Sequence, residues 1–232
     1  MIMDIHSHTF FSKCGRDHPD KTIQAAIDGG IELFGISDHN YGIAERKREY
    51  YNYICRFKEK YDGKLKLLCG IELATVLNLW LRDDEDISFF DYCLIEHIDR
   101  PDSSVGNTFT EYAKRTGCKN VGIAHTDLFA YADRIGQPAY DFFSRLAENN
   151  IFWEMNVNYD SIHGYNEHQY VKNFVENEEQ QDIIRRCGVK ISVGFDGHRV
   201  EDYDPSRVIK MCRFLEEKNI EMPFGNFAAE KV

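Results

Sequence analysis

The chain predicts an α/β fold: a closed or nearly closed barrel of parallel strands in a single domain over residues 1–232. Three observations lead there. Seven short apolar runs alternate with helix-like segments, so successive strands are joined by crossovers and pair in parallel. The 232 residues, 43% of them hydrophobic, can bury one sizeable core, and no repeat, low-complexity tract or Pro/Gly-rich linker divides them. No GxGxxG or Walker motif is present, which weighs against the alternative, an open doubly wound nucleotide-binding sheet.

The elements follow in order. Residues 1–5 are an apolar run that reads as the first strand. Residues 21–28 have helical composition and stop at Gly29-Gly30, a helix-ending pair. Residues 31–37 form the second strand, and 45–61 a charged helix ending near Asp62-Gly63. Residues 64–73 and 90–96 are the third and fourth strands, and 108–116 a helix closed by Gly117. Residues 120–124 are the fifth strand, 139–149 a helix and 151–156 the sixth strand. Residues 167–187 read as one long helix stopped by Gly188, followed by the seventh strand at 189–194 and a last helix at 205–218. The crossovers are expected to be right-handed.

Composition excludes several classes of function. The net charge is −11, and Lys and Arg are dispersed apart from Arg46-Lys47-Arg48, which reads as a solvated helix face. A protein that grips long nucleic acids shows a basic stripe instead. Mean hydropathy is negative, and no apolar run approaches the ~18–20 residues of a membrane span. The start, Met1-Ile2-Met3-Asp4, lacks a basic region followed by an apolar block. The seven cysteines are odd in number, contain no CxxC pair and read as free thiols in a reducing compartment. A cytoplasmic protein without a membrane or long nucleic-acid partner is expected.

The chemistry lies in the histidines. Six of the nine, His6, His8, His39, His97, His125 and His198, fall at the ends of predicted strands, most beside carboxylates. In an α/β barrel those ends share one rim, where the active site collects. Glu72, Glu154, Asn156 and Asp196 end strands in the same way. His6 and His8 are two apart on an extended segment, so both imidazoles face one side and can reach one metal, with Asp4 on that side to orient them. Glu72 ends an otherwise apolar strand; a buried carboxylate needs a partner or a cation, and its two oxygens could bridge two metals. Asp38 and Asp127 suit the task of fixing the far nitrogen of a ligating histidine. His163 and His168 read as surface residues. Mixed imidazole and carboxylate donors suit zinc, manganese or iron. Such ions lower the pKa of bound water to give hydroxide near neutral pH and offset phosphoryl charge during in-line attack. No GxSxG elbow offers a serine nucleophile instead.

The ordered set Asp4-x-His6-x-His8-Thr9, Ser37-Asp38-His39, Gly70-Ile71-Glu72, His97, His125, Glu154-Met155-Asn156 and Gly194-Phe195-Asp196-Gly197-His198 resembles the PHP (polymerase and histidinol phosphatase) family. The resemblance implies a distorted (βα)7 barrel with a trinuclear metal centre. It places one metal on His6, His8, Glu72 and Asp196, a second on Glu72, His97 and His125, and a third on His39, His198 and a histidine from the loop after the first strand. At that last position this chain has Cys14, with His18 four residues further on; His18 by a loop shift is the favoured ligand and Cys14 the alternative. The 91–97 segment is one residue shorter than is usual in the family. The segments Ala124-His125-Thr126-Asp127-Leu128, Cys14-Gly15 and Asp196-Gly197-His198-Arg199 look more like the histidinol-phosphatase branch than the polymerase branch.

The expected activity is hydrolysis of a small phosphomonoester, histidinol phosphate among the candidates, at a centre of two or three divalent ions. Glu72, Asp196 and His198 are expected to carry catalysis, and Arg16, Arg199, Glu154 and Asn156 to contact substrate, with Arg134 a further cation for the phosphate. The competing readings are a phosphodiesterase or nuclease acting on small nucleotides and a non-catalytic metal-binding barrel. A metal-dependent amide hydrolase would want a lysine at a strand end, and none is there.

Overall fold

The computed structural model describes residues 1–76, 79–82, 84–105, 109–158 and 168–225. Seven parallel strands lie in sequence order: β1 Met3–Asp4, β2 Leu33–Ile36, β3 Lys66–Ala74, β4 Tyr92–Glu96, β5 Val121–Ile123, β6 Ile151–Asn156 and β7 Ile191–Gly194. Ile5 N–H donates to Val193 O at 3.0 Å, Asp196 N–H to His6 O at 2.7 Å and His8 N–H to Gly197 O at 2.8 Å, so β7 returns to β1 and the barrel closes. All seven predicted strands are present.

The helices between strands are α1 Pro19–Asp28, α2 Asn40–Ile43, α3 Lys47–Lys60, α4 Phe109–Arg115, α5 Leu128–Arg134, α6 Ala139–Glu148, α7 Gln169–Glu176, α8 Glu178–Cys187 and α9 Pro205–Glu217. The segment read as one helix from 167 to 187 is two. Asn177 has extended backbone (φ −110°, ψ 100°), and its side chain accepts from Gln180 N–H to cap α8, an Asx preference that outweighs the helical run. Two short helices, α2 and α5, were not expected; each is barely two turns or less, too short for a periodic signal. The expected helix starts at 108 and 167, and His163, lie outside the described residues.

Strand parity decides which side chains enter the barrel. On β6, Trp153 faces the helices, in contact with Phe143 and Phe174 at ring separations of 5.6 and 5.7 Å, with its indole N–H on Thr126 O. Its neighbours Phe152, Glu154 and Asn156 therefore face the interior. On β4, Tyr92 crosses the barrel and donates its hydroxyl to Ile5 O at 2.6 Å. A Cβ on Gly70 would come within 2.2 Å of that ring, so glycine there is what admits it. Burying rings of this size contributes roughly 1.5–3 kcal/mol each, and the apolar plug they form leaves the polar groups to the opposite, C-terminal rim.

Candidate metal centre

The rim residues lie where the strands fray into loops. His6 and His8 follow β1, His39 follows β2, Glu72 sits within β3, Glu96 ends β4, His125 follows β5, Glu154 and Asn156 end β6, and Asp196 and His198 follow β7. Glu72 is the hub and is fully buried. One of its oxygens lies 3.2 Å from His6 Nε2 and 3.1 Å from His125 Nε2; the other lies 3.3 Å from His8 Nε2 and 2.8 Å from His39 Nδ1. Asp196 Oδ1 lies 3.0 Å from His8 Nε2 and 3.6 Å from His6 Nε2. Glu96 Oε1 lies 3.4 Å from His39 Nδ1.

Four groups of donor atoms each fall within 4.8 Å of one another: His6, His8, Asp196; His6, Glu72, His125; His39, Glu72, Glu96; and His8, Cys14, His39, His198. Glu72 Oε2, Glu96 Oε1, Asp196 Oδ1 and His39 Nδ1 are buried without a hydrogen-bond partner, although their neighbours are close. Such contacts are short but misaligned for hydrogen bonding. Buried carboxylates left in this state are costly unless they coordinate a cation. The donor set therefore fits divalent metal ions.

A supporting layer fixes the rings. His6 Nδ1 is 2.7 Å from Glu154 Oε1, while Glu154 Oε2 accepts the His125 backbone N–H at 2.8 Å. Gly194 makes this possible: a Cβ there would sit 2.0 Å from Glu154 Oε1 and 2.6 Å from His6 Cβ. His8 Nδ1 is 2.9 Å from Ser12 Oγ, which donates to Asp38 at 2.5 Å. Asp38 also accepts from Thr9 N–H, Thr9 Oγ1 and Tyr50 Oη. Asp4 accepts from Phe195 N–H and Tyr203 Oη and so ties the end of β7 to β1. Each carboxylate holds a loop or a ring in one orientation, as ligating histidines require.

The protons reflect this crowding. Burial by itself would lower His6, but the charges of Glu154, Glu72 and Asp196 raise it well above 6.5. His125 is opposed by burial in the same way and raised to about 9 by Glu72. Burial would raise Glu72 and Asp196; the facing imidazoles, His6 first, hold both below the usual carboxylate range. His8 goes the other way, lowered to about 3 by burial and by His39. Burial opposes ionisation of Cys14, yet His198 and His39 bring it down to about 7. In the absence of metal, the cluster holds itself together with protons that a cation can displace.

Several expected site residues stand elsewhere. His18 is the N-cap of α1: its Nδ1 accepts from Asp20 N–H, its Nε2 lies 2.8 Å from Tyr53 Oη, and its ring stacks on Phe10. The residue brought to His39 and His198 is Cys14. At β4 the group that joins His39 and Glu72 is Glu96; His97 lines the cavity beside it without entering any of the four donor groups. Glu96 shares the parity of Tyr92, and His97 follows it at φ 64°, with Nε2 3.0 Å from Glu96 Oε2. Glu154 supports His6 from behind, and Asn156, fully buried, accepts Asn158 N–H; neither is among the residues lining the cavity above the rim. Arg16 projects into solvent, and Arg199 pairs with Glu201 at 3.5 Å outside the rim. Arg134 is tied to Asp99 O. Asp127 caps α5 through Ala130 N–H rather than orienting a histidine.

A cavity of about 550 Å³ opens above the centre, lined by the rim groups together with Tyr41, His97, Asp99, Arg100, Pro101 and His168. Arg100 and His168 were missed as site residues. Neither ends a strand, so only the folding of their loops over the rim places them here. His168, read as a surface residue, stacks on His125 with ring centres 6.1 Å apart. Burial and the charge of His125 lower it to about 4.

A closed parallel barrel whose C-terminal rim gathers buried imidazoles and carboxylates around one shared glutamate defines an α/β-barrel protein with a candidate metal-binding rim. The chain belongs to the PHP domain family, whose model matches residues 4–213. No curated protein sequence matches it. Among solved structures it is similar to the histidinol phosphate phosphatase HisK of Lactococcus lactis subsp. lactis Il1403, complexed with zinc, L-histidinol and phosphate. The TM-score is 0.65 at 16% identity, covering 95% of this chain and 94% of the other. A Listeria monocytogenes protein assigned as a histidinol phosphatase gives a TM-score of 0.57 at 14% identity, covering 86% and 96%. A chain from archaeal ribonuclease P with mature tRNA gives 0.50 at 11% identity, covering 93% and 91%. At these identities the likeness is one of fold. Among the described residues no helix is long and apolar enough to cross a membrane.

Proposed function

We propose that this protein is a metal-dependent phosphoesterase acting on a small phosphomonoester. The observation that carries the reading is the set of overlapping donor groups around Glu72, with buried oxygens lacking hydrogen-bond partners, at the floor of a cavity of about 550 Å³. His6, His8, Glu72 and Asp196 would hold one ion, Glu72, Glu96 and His125 would face a second, and His39 and His198 a third. When bound, such ions supply a water of lowered pKa and offset charge on the phosphoryl group.

The chain's own residues do the rest. Glu154 and the Asp38–Ser12 relay hold His6 and His8 so that both Nε2 atoms face the centre. Arg100 stands at the mouth, about half exposed and paired with the exposed Asp102, where it can turn toward an incoming phosphate. His168, with its pKa lowered to about 4, stays neutral near pH 7 and lines the wall as a hydrogen-bonding group rather than a second cation. The cavity suits a metabolite-sized monoester, its volume falling within the usual range of small-ligand sites. Histidinol phosphate is one member of that class, favoured by the fold shared with the Lactococcus lactis enzyme.

The test is phosphate release from a panel of phosphorylated metabolites, histidinol phosphate included, by protein stripped and reloaded with Zn2+, Mn2+ or Fe2+. Monoester turnover lost in His8→Ala and Glu72→Ala supports the reading. Turnover of bis-p-nitrophenyl phosphate alone would assign a phosphodiesterase instead, and full metal loading without any turnover would leave a metal-binding barrel.

A further inference from the structure

The loop after β1 carries the feature that sets this centre apart. Phe10–Ser12 form a 3-10 turn whose N-cap, Thr9, accepts Phe11 N–H. Lys13 then adopts a left-handed conformation (φ 63°), and the chain doubles back at Gly15, where a Cβ would fall 2.2 Å from Thr9 O. The doubled-back strand is pinned on its far side: Arg16 N–H donates to His198 O at 3.0 Å, Phe10 N–H to Asp17 O at 3.0 Å, and Val200 N–H to Asp17 Oδ2 at 2.7 Å. This loop is held at several points, and it sets Cys14, half-buried, against the rim histidines.

Cys14 Sγ lies within 4.8 Å of ring nitrogens of His8, His39 and His198. His8 stacks between the other two rings, with centres 4.5 Å from each. The thiol donates a weak hydrogen bond to Ser12 O at 3.3 Å. His18 is not available in its place, because both of its ring nitrogens are engaged at the N-terminus of α1 and with Tyr53.

We infer that Cys14 supplies a thiolate ligand beside His39 and His198, making one position of the centre a sulfur-containing site that prefers zinc over manganese or magnesium. The inference rests on the reading of the rim as a metal centre, and adds to it the identity of one ligand and the selectivity that follows. Soft sulfur favours zinc, whereas carboxylate and water positions also accept manganese or magnesium. On binding, the thiol proton passes to solvent as the metal–sulfur bond forms. The remaining positions, built from imidazole and carboxylate, carry a weaker preference of this kind.

The test is X-ray absorption at the zinc edge of the zinc-saturated full chain, with differential alkylation read by mass spectrometry. A zinc–sulfur shell at about 2.3 Å is expected. It should vanish in Cys14→Ser and persist in His18→Ala. Iodoacetamide should label Cys14 in the metal-stripped protein and not in the zinc-loaded one. Cys55, Cys118 and Cys187, the other partly exposed thiols, should label equally in both states. Cys14→Ser should hold less zinc per chain, and Cys14→His should regain the lost ion with a smaller preference for zinc over manganese than the wild type shows. A zinc-saturated wild-type protein without a sulfur shell overturns the inference even if every variant misfolds. So does a shell that survives Cys14→Ser. A protein that binds no zinc at all would instead remove the metal-centre reading, which the zinc count reports separately.

Discussion

Glu154 is the most informative single residue to change, because it touches two ring-bearing strands and no ion. Its two oxygens accept from two donors, His6 Nδ1–H at 2.7 Å and the His125 backbone N–H at 2.8 Å. Glu154→Gln keeps the shape but offers one acceptor and one NH2 group. Whichever way the amide turns, its NH2 confronts a donor. Either a buried N–H goes unsatisfied, or His6 moves its proton to Nε2 and withdraws that lone pair from the centre. An unsatisfied buried donor costs about 1–3 kcal/mol. Loss of an orienting partner typically lowers metal affinity by roughly 10–100-fold, or about 1.4–2.8 kcal/mol, so the two routes agree. The assay is a chelator-competition titration of Zn2+ or Mn2+ against wild type and variant, with circular dichroism to establish folding. A folded Glu154→Gln protein with unchanged metal affinity would refute the assignment of Glu154 as the residue that sets the His6 tautomer.

The other predictions concern the rim directly. Glu96→Gln should lower metal affinity more than His97→Ala, as read by the same titration, because the Glu96 oxygen is buried against His39 while His97 is the more exposed and belongs to none of the donor groups; the reverse order would return the β4 ligand to His97. Arg100→Ala should raise KM for a phosphomonoester several-fold with an unchanged metal count, measured by steady-state kinetics and elemental analysis; equal loss of metal would make its role structural. Metal binding should release protons and tighten as pH rises from 6 to 9, since His6 and His125 are raised above their ordinary value of 6.5, His125 to about 9; calorimetry in buffers of different ionisation enthalpy measures the protons. In the metal-free protein the sign for folding is opposite. The raised histidines stabilise fully below 6.5 and lose that contribution as pH climbs through their folded values, while His8 and His168, lowered to about 3 and about 4, subtract as pH falls below 6.5. Thermal unfolding in chelator should therefore peak near pH 6.5, and a stability still rising at pH 9 would contradict the charge assignments.

Much of this molecule can be read from its residues in line. The seven apolar runs, the helices that separate them and the parallel barrel they enforce are local and periodic properties, and they survive folding unchanged in kind. So do His6, His8, His39, Glu72, His125, Asp196 and His198, because a strand end in an α/β barrel points to one rim whatever the loops do. Glu96 was missed in favour of His97, although it shares the parity of Tyr92 and an extended strand sends alternate side chains to one face. What the residues in line do not contain is the path of the loops. Only the folded chain shows that Lys13 and Gly15 turn Cys14 inward while His18 is spent as a helix cap, that Arg100 and His168 fold over the mouth while Arg16 and Arg199 face away, and that Asn177 divides a helical run in two. Periodicity reports which face a residue takes within an element. Position beyond an element's end is set by contacts between segments far apart in sequence, such as Arg16 with His198 and Val200 with Asp17, and those exist only once the barrel has closed.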